Sequence, residues 1–236
     1  GGSNVAVCNS ALSSNTTGGN NTAVGQGALS DATTGDNNAA LGTNALALNT
    51  TGASNTALGT FALMANTTAS DNTAVGKQAL VTNTTGASNT AVGVNSLAAN
   101  TTASNNIAIG LSALTANTTG AENTAVGANS LDSNTTGGAN TGVGRYSFES
   151  NTTGGSNVGV GFNALQGNTS GTRNTAVGVQ ALDDNTTADD NTAVGYNAGV
   201  SITTSVKNTL MGSQAGDGLT SGDGLNVAIG YDALSA

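Results

Sequence analysis

The sequence predicts an all-β fold, a parallel β-solenoid built from fourteen tandem copies of a 17-residue repeat. Three observations lead to this prediction. A motif reading Asn-Thr-Ala-Val-Gly returns every 17 residues, aliphatic side chains recur at fixed places in each copy, and the 236 residues include 35 Gly but no Pro, Trp or His. A fixed internal period is typical of solenoids and stacked arrays. Low complexity in this chain therefore indicates repetition rather than disorder.

The period is set by the first Asn of the motif, which falls at Asn4, Asn21 and Asn38 and continues at the same spacing to Asn208. A last copy begins at Asn226, one residue late, after an irregular stretch rich in Gly, Asp and Ser. Numbered from this Asn, the repeat reads N-T-A-V-G-x-x-A-L-x-x-N-T-T-G-x-x. The predicted domains are regular repeats over 1–215, an irregular insertion loop over 216–225 and a last partial repeat over 226–236.

Two positions of the repeat carry bulky apolar side chains. Position four is aliphatic or Met in every copy, and position nine is Leu except at Phe148, Gly199 and Gly216. Two bulky residues in 17 cannot form a self-contained domain, so each copy must stack on its neighbours and bury them in a continuous core. The predicted core stripe comprises Val24, Leu29, Leu41, Leu46, Val75, Leu80, Ile109 and Leu114.

Strands fit the motif better than helices, because β-branched Thr and Val flank Gly in every copy and would make short, weak helices. In a strand, Thr22 and Val24 share one face while Ala23 and Gly25 point to the other. The second face is small in every copy except at Leu210. We expect this small face to form an intimate interface, either within the coil or between chains.

Position five is Gly in thirteen of fourteen copies, which predicts a corner that needs positive φ or has no room for Cβ. The predicted corner glycines include Gly25, Gly42, Gly59 and Gly76. Cys8 takes this place in the first copy, where a neighbouring coil is missing, and it is assigned no chemistry. A lone Cys supplies no disulfide framework.

Asn recurs at positions one and twelve, as at Asn49 and Asn66. At a coil spacing of about 4.8 Å, such side chains can hydrogen-bond to one another along the axis, as in cross-β assemblies. Asn residues that face inward in this way would be closed to glycosylation, although the Asn-Thr-Thr triplets match the acceptor sequence. Fourteen coils at this spacing predict a rod on the order of 65 Å long.

Two features predict departures from a regular rod. Gly199 and Gly216 interrupt the Leu stripe beside the irregular stretch, which predicts a bend, a loop or a junction there. Both ends of the sequence fall inside a repeat without a visible cap. Solenoids protect their open strand edges, so we expect a fragment of a longer fibre or an end-to-end assembly.

Charge and composition argue against several classes of function. Thirteen acidic and four basic residues give a net charge of −9, which argues against a nucleic-acid partner. No apolar run is long enough for membrane insertion of this segment. The absence of His and the scatter of the carboxylates argue against an enzyme, and no cofactor is predicted.

Two groups of side chains remain as candidates for binding. The doublets Asp183-Asp184 and Asp189-Asp190 would suit Ca²⁺, whose hard-oxygen preference fits carboxylates, or they form a solvated acidic edge. Five of the six aromatic residues lie at positions six and seven, just past the corner glycine, where they would contact a sugar or receptor or pack between chains. The candidate ligand contacts are Arg145, Tyr146, Phe162 and Tyr196.

Units such as NTAVGKQALVTNTTGAS and NNIAIGLSALTANTTGA resemble the head repeats of trimeric autotransporter adhesins and the shafts of phage-type tail-fibre-domain proteins. The segments 106–110 and 226–230 match the adhesin signature of a small polar residue followed by Val-Ala-Ile-Gly. The added Asn-Thr-Thr-Gly makes this unit longer than the adhesin repeat. The resemblance implies a homotrimer of left-handed β-rolls on the surface of a bacterium or a virus particle.

The predicted function is therefore the structural shaft or head of a surface adhesin or tail fibre, which mediates attachment or spaces a distal binding domain. Expected partners are further copies of the chain, as a homotrimer or another homo-oligomer, and a host-surface, matrix or glycan receptor. The expected location is extracellular, on a cell surface or virion appendage. The alternatives are a self-assembling extracellular filament and an ice-binding solenoid, which needs a flat exposed Thr face that alternating pairs such as Thr16-Thr17 do not supply.

Overall fold

The computed structural model of the chain describes residues 2–222 and 224–235. Within these ranges the chain forms fourteen three-residue strands in one parallel sheet, ordered β1 to β14, and winds through a β-solenoid of about thirteen turns. The strands are β1 Val5–Val7, β2 Thr22–Val24, β3 Ala39–Leu41, β4 Thr56–Leu58, β5 Thr73–Val75, β6 Thr90–Val92, β7 Ile107–Ile109, β8 Thr124–Val126, β9 Thr141–Val143, β10 Val158–Val160, β11 Thr175–Val177, β12 Thr192–Val194, β13 Thr209–Met211 and β14 Val227–Ile229. The predicted fold class and 17-residue spacing are confirmed, while the hand of the winding and the trimer stay predictions.

Two compact units divide the chain, Gly1–Thr119 with β1 to β7 and Gly120–Ala236 with β8 to β14. In the first unit Ala23 pairs with Ala40, and in the second Ala176 pairs with Ala193, each at the offset of 17 residues. From β13 to β14 the offset is 18, because Leu210 pairs with Ala228. The extra residue of the irregular stretch therefore lies outside the sheet. The predicted boundaries at 215 and 225 stay predictions.

Position three, the middle residue of each strand, points into the solenoid. Its Ala side chains are at most 2% exposed from Ala23 onward. Position four points outward, since Leu41 is 49% and Ile109 is 40% exposed and Val24 and Val75 are partly exposed. The prediction that these four residues belong to the core is therefore wrong.

The bulky core residue of each coil is the Leu at position nine. It is fully buried at each of the four positions predicted for it, Leu29, Leu46, Leu80 and Leu114. A coil this narrow holds one large side chain, so the residues opposite it at positions three and eight are small. Two-residue alternation predicted correctly which residues share a face of the strand, but it carried no information on which face is inward.

The position-nine Leu adopts a left-handed backbone in every coil where it occurs, with φ 51° at Leu29 and 53° at Leu114. This conformation costs an L-residue roughly 1–2 kcal/mol. Burying a Leu side chain contributes roughly 1.5–3 kcal/mol, which offsets that cost. The core therefore stabilises a backbone that local propensity disfavours.

Side chains at positions three and nine are matched in size. Where Phe148 replaces Leu at position nine, the nearest strand residues are Gly142 and Gly159. A Cβ at Gly159 would lie 2.5 Å from Phe148 Cε2, and one at Gly142 would lie 3.3 Å from Phe148 Cδ2. The larger ring therefore excludes a Cβ at position three of the next coil, whereas in its own coil a Cβ at Gly142 would first meet Ser130 Oγ at 2.8 Å.

The reverse exchange occurs at Gly199 and Gly216, where position nine lacks a side chain. Ile202, at position twelve of the coil that contains Gly199, is fully buried and fills part of that space. Leu210, the large residue at position three of β13, fills the rest and is fully buried. Its methyl groups would lie 2.7–2.8 Å from a Cβ built on either glycine. The coil-to-coil hydrogen bonds continue through both, from Gly199 N–H to Ala215 O at 2.9 Å and from Gly216 N–H to Ala233 O at 2.8 Å. The interruption predicted here is thus a change of core packing within a continuous ladder.

Asn at position one joins each coil to two neighbouring segments. Asn157 Oδ1 accepts a hydrogen bond from the backbone N–H of Asn174 in the next coil at 2.8 Å, and its Nδ2 donates to Gly171 O at 2.8 Å. The same bonds recur in the first unit, for example from Asn55 N–H to Asn38 Oδ1 at 2.9 Å. Position one is Asn in all fourteen copies. This side chain satisfies a backbone donor that has no alternative acceptor in the ladder.

Asn at position twelve forms the side-chain ladder predicted from the sequence. Asn168 Nδ2 donates to Asn151 Oδ1 at 2.6 Å, and Asn66 Nδ2 donates to Asn49 Oδ1 at 2.8 Å. These four side chains are fully buried, as required for the predicted closure to glycosylation. Unlike position one, this position also tolerates apolar residues, namely Ala32, Ile202 and Leu219.

The corner at position five needs glycine for both reasons proposed from the sequence. Gly25, Gly42, Gly59 and Gly76 have φ between 134° and 139°. A Cβ at Gly25 would also lie 2.5 Å from Gly42 O in the next coil. Cys8 is exposed and has φ 92°, so its corner is distorted relative to the others.

Replacing Leu210 by Ala is expected to destabilise the second unit by about 2–5 kcal/mol, because it leaves a cavity facing two glycines. Urea unfolding, with hydrogen exchange of the amides near β13, measures the loss. Met211→Ala is the matched control, since Met211 is adjacent but 49% exposed and should cost less than about 1 kcal/mol. Adding Gly199→Leu and Gly216→Leu to Leu210→Ala should recover stability, and additive losses would contradict the proposed size matching.

Asn157→Ala is expected to destabilise the chain more than Asn168→Ala does, by at least about 1 kcal/mol, because it orphans the backbone N–H of Asn174. Both residues are fully buried in the same coil and bond to Gly171 O, which makes them a matched pair. Equilibrium unfolding in urea compares the two variants. Equal losses would show that the backbone donor finds another acceptor.

Candidate functional surface

The outward face of the sheet carries positions two and four of the strands, and we call it the sheet face. Position two is Thr in nine copies and an uncharged residue in the others, and position four is Val, Leu, Ile or Met throughout. Exposed examples are Leu58 at 42%, Val177 at 37% and Met211 at 49%. No charged residue occupies either position in any of the fourteen copies, so all seventeen charged residues of the chain lie elsewhere.

Threonine hydroxyls at positions two and thirteen differ in their bonding. At position thirteen the hydroxyl donates to the equivalent carbonyl of the next coil, as from Thr50 Oγ1 to Thr67 O and from Thr152 Oγ1 to Thr169 O, both at 3.0 Å. Among the described residues, no hydrogen bond engages a position-two hydroxyl such as that of Thr73 or Thr192. The position-two hydroxyls are therefore open to an external partner, as are those of exposed Thr residues at position fourteen such as Thr51 and Thr85.

A shallow open depression lies on the sheet face of the first unit. Ala39 stands at its centre, in a position where nine copies carry Thr, and the missing side-chain atoms leave the space. Both its walls and its floor are largely apolar. The lining residues are Thr22, Ala39, Ala40, Leu41, Thr56, Ala57 and Leu58.

Position six, just past the corner glycine, forms a second exposed column beside the sheet face. In the second unit it carries Arg145, Phe162, Val179 and Tyr196 on four successive coils. Phe162 is 44%, Val179 40% and Tyr196 52% exposed, and Arg145 is exposed as well. The structure thus places three of the four predicted ligand contacts on one strip. Position six varies between charged, polar and apolar residues along the chain, in contrast to positions two and four.

The fourth predicted contact, Tyr146, joins Arg145 to Phe162. The Arg145 guanidinium carbon lies 4.4 Å from the centroid of the Tyr146 ring, and its Nη2 donates to Tyr146 Oη at 2.6 Å. The Tyr146 and Phe162 rings meet edge to face, with centroids 6.2 Å apart. Tyr146 is partly buried and has φ 60°, a conformation uncommon for a bulky residue. The three side chains form a fixed cluster at the surface.

The predicted acidic edge is partly neutralised within the chain. Arg173 Nε lies 2.6 Å from Asp190 Oδ1, and its Nη2 lies 3.5 Å from Asp189 Oδ2. The hydrogen bond from this guanidinium lowers the pKa of Asp190, and the same bond raises the pKa of Arg173. Within residues 2–222 and 224–235 no group of three or more His, Cys, Asp or Glu side chains could hold a metal ion. The calcium site stays a prediction, and Arg173 would compete with a cation there.

The sequence identified the ligand-contact candidates but assigned half of the sheet face to the core. Exchanges of size between copies were the missed signal, because Phe148 comes with glycines at position three and Leu210 comes with glycines at position nine. These exchanges identify positions three and nine as neighbours in the core, which leaves position four outside.

No protein-family model, curated protein or solved structure matches this chain. The resemblance to adhesin heads and tail-fibre shafts therefore stays a prediction. Within the described part of the chain, no helix has the length and apolar character needed to span a membrane.

Asp183→Asn is expected to stabilise the chain slightly at neutral pH. Burial raises the pKa of Asp183, with a smaller contribution from Asp184, so ionising this carboxyl costs stability above its folded pKa. The free energy of unfolding of the wild type should fall below that of the variant as pH rises from the unfolded pKa of Asp183 through its raised folded pKa. In acid the two free energies should converge. Because the group is partly exposed, the two free energies of unfolding should differ by less than about 1 kcal/mol. Thermal unfolding from acid to neutral pH measures it, with Asp184→Asn as control.

Proposed function

We propose that this chain is the structural shaft or head of an extracellular attachment fibre, on a cell surface or virion appendage, and that it works as a homotrimer. Support comes first from the ladders. Within each unit the coils are joined to one another by backbone bonds and by buried Asn side chains, such as the bond from Asn174 N–H to Asn157 Oδ1. A stack held this way lengthens in proportion to its number of repeats and suits a spacing or presenting element.

The observation that carries the proposal is the sheet face, which is exposed or partly exposed, largely apolar and free of charge in all fourteen coils. Contiguous apolar patches on a protein surface mark sites of association. Each coil adds about 4.8 Å of face, roughly 10 Å wide, so fourteen coils supply roughly 700 Å². This is near the roughly 800 Å² that each partner contributes to a standard interface.

The difference between the two columns of the sheet face favours a closed ring of identical chains. One column is mainly Thr and the other mainly Val, so one chain's first column can contact a neighbour's second column. Such heterologous contacts close into rings when the rotation allows it. The number three rests on the resemblance to adhesin heads, and the partner in every case is another copy of the chain.

An ice-binding solenoid is the second candidate, and the position-two hydroxyls favour it. They lie on a regular sheet, spaced about 4.8 Å between coils, without a partner among the described residues. The bulky residues at position four, such as Leu41 and Met211, count against it because they make the face uneven. We therefore favour association with further copies of the chain over ice binding as the role of the sheet face.

The expected solution mass of the chain is close to three times 22.4 kDa, measured by light scattering. The double variant Val92→Asp and Val143→Asp should be monomeric, because it places one carboxylate in the apolar sheet face of each unit. Thr85→Asp and Thr136→Asp, which add the same charges at exposed positions away from this face, should leave the oligomer intact.

Three results would count against this assignment. A monomeric wild-type chain that inhibits ice recrystallisation would replace the oligomer with the ice-binding solenoid. Large particles of widely distributed length would favour the self-assembling filament. An oligomer that survives Val92→Asp and Val143→Asp but dissociates with the control pair would place the interface elsewhere. Circular dichroism of each variant establishes that the fold is retained.

A further inference from the structure

We propose that Arg145, Tyr146 and Phe162 form a binding site for a carboxylate-bearing sugar, a uronate residue of an acidic polysaccharide. The site lies at the position-six column beside the sheet face, within the second unit. Its assignment rests on the contacts of these three residues and does not depend on the oligomeric state.

The contacts with Tyr146 hold the Arg145 guanidinium in one orientation at the surface. The guanidinium stacks on the Tyr146 ring at 4.4 Å, and the hydrogen bond from Nη2 to Tyr146 Oη occupies one of its five N–H donors. Stacking on an aromatic face suits the planar guanidinium and limits the freedom that binding would otherwise remove. The remaining donors face solvent, since Arg145 is exposed.

Arg145 makes no ion pair with a carboxylate among the described residues, although acidic residues outnumber basic ones by thirteen to four. The other arginine, Arg173, is paired with Asp189 and Asp190. The carboxylate of Glu149, in the same coil as Arg145, accepts a hydrogen bond from Gln166 Nε2 at 2.6 Å instead. A guanidinium without a carboxylate partner can donate two parallel N–H bonds to the two oxygens of a ligand carboxylate.

The neighbouring aromatic surface supplies the second half of the site. Arg145 and Phe162 occupy the same position of adjacent coils, so their backbones lie about 4.8 Å apart. The Phe162 ring is braced edge-on by Tyr146 and is 44% exposed. Tyr146 takes a left-handed backbone where most copies carry Asn, Gln or Ser. Position seven has this backbone in every copy, so a bulky Tyr is not needed to form it.

A uronate sugar fits this pair of surfaces. Its pyranose ring presents an apolar C–H face that can lie on Phe162, and its carboxylate projects from the ring edge toward a guanidinium one coil away. Val179 and Tyr196 continue the exposed strip over the next two coils. The strip of four coils spans about 14 Å, which is enough for more than one linked sugar. An oligosaccharide is therefore a better ligand than a single sugar.

Titration calorimetry of the full chain with an oligogalacturonate tests the site. Arg145→Gln should weaken binding by at least about tenfold, because it removes a charge-assisted hydrogen bond. Arg145→Lys should also weaken it several-fold, since a point charge cannot bind both oxygens. Phe162→Ala should lower affinity without changing the salt dependence. Arg173→Gln removes the same charge from an exposed but paired arginine and should change affinity by less than about twofold.

The methyl ester of the same oligosaccharide should bind at least about tenfold more weakly than the free acid. Equal losses in the Arg145→Gln and Arg173→Gln variants would show general charge attraction and overturn the site. The absence of binding by the wild-type chain would overturn it too. Preference for a sulfated oligosaccharide would overturn the carboxylate assignment. None of these outcomes bears on the solution mass, which tests the oligomer separately.

Discussion

The structure depends on coils stacking in register, 17 residues apart and about 4.8 Å along the axis. Each inward side chain meets its own equivalent above and below, so a group acceptable in one coil must be acceptable beside a copy of itself. Asn satisfies this condition because its side-chain amide both donates and accepts hydrogen bonds. Asn side chains can therefore bond to one another along a column of any number of coils. Asn is invariant at position one because its side-chain oxygen also accepts a hydrogen bond from a backbone N–H of the next coil.

The same constraint explains how the core tolerates change. What matters is the total volume that adjacent coils place in the core at positions three, nine and twelve, rather than the residue at any one of them. Phe148 with Gly142 and Gly159, and Leu210 with Gly199 and Gly216, are two solutions that preserve this volume. Close-packed interiors transmit a misfit to their neighbours, which is why each exchange involves adjacent coils as well as its own.

The period, the parallel strands and the corner glycines could be predicted from the sequence, because they depend on spacing and on the special backbone of glycine. The left-handed Leu at position nine could not, since local propensity opposes it and only burial offsets the cost. The inward face was predicted wrongly for Leu41 and Ile109, because a strand of three residues shows alternation without direction. Of the candidate site, the sequence identified the residues but not their contacts, because the meeting of Tyr146 and Phe162 depends on which atoms adjacent coils bring together.

Stacking constrains inward positions directly, but it places no such demand on residues that point to solvent. Uniformity at outward positions two and four therefore needs another cause. Strand propensity favours Thr and Val there, yet it does not explain why no charged residue occurs in twenty-eight outward places while positions sixteen and seventeen of the same coils carry several. A surface covered by identical partners would exclude charge in this way. Position six lies outside the sheet face, so its residues can vary from coil to coil. A specialised cluster such as that of Arg145, Tyr146 and Phe162 can therefore form there.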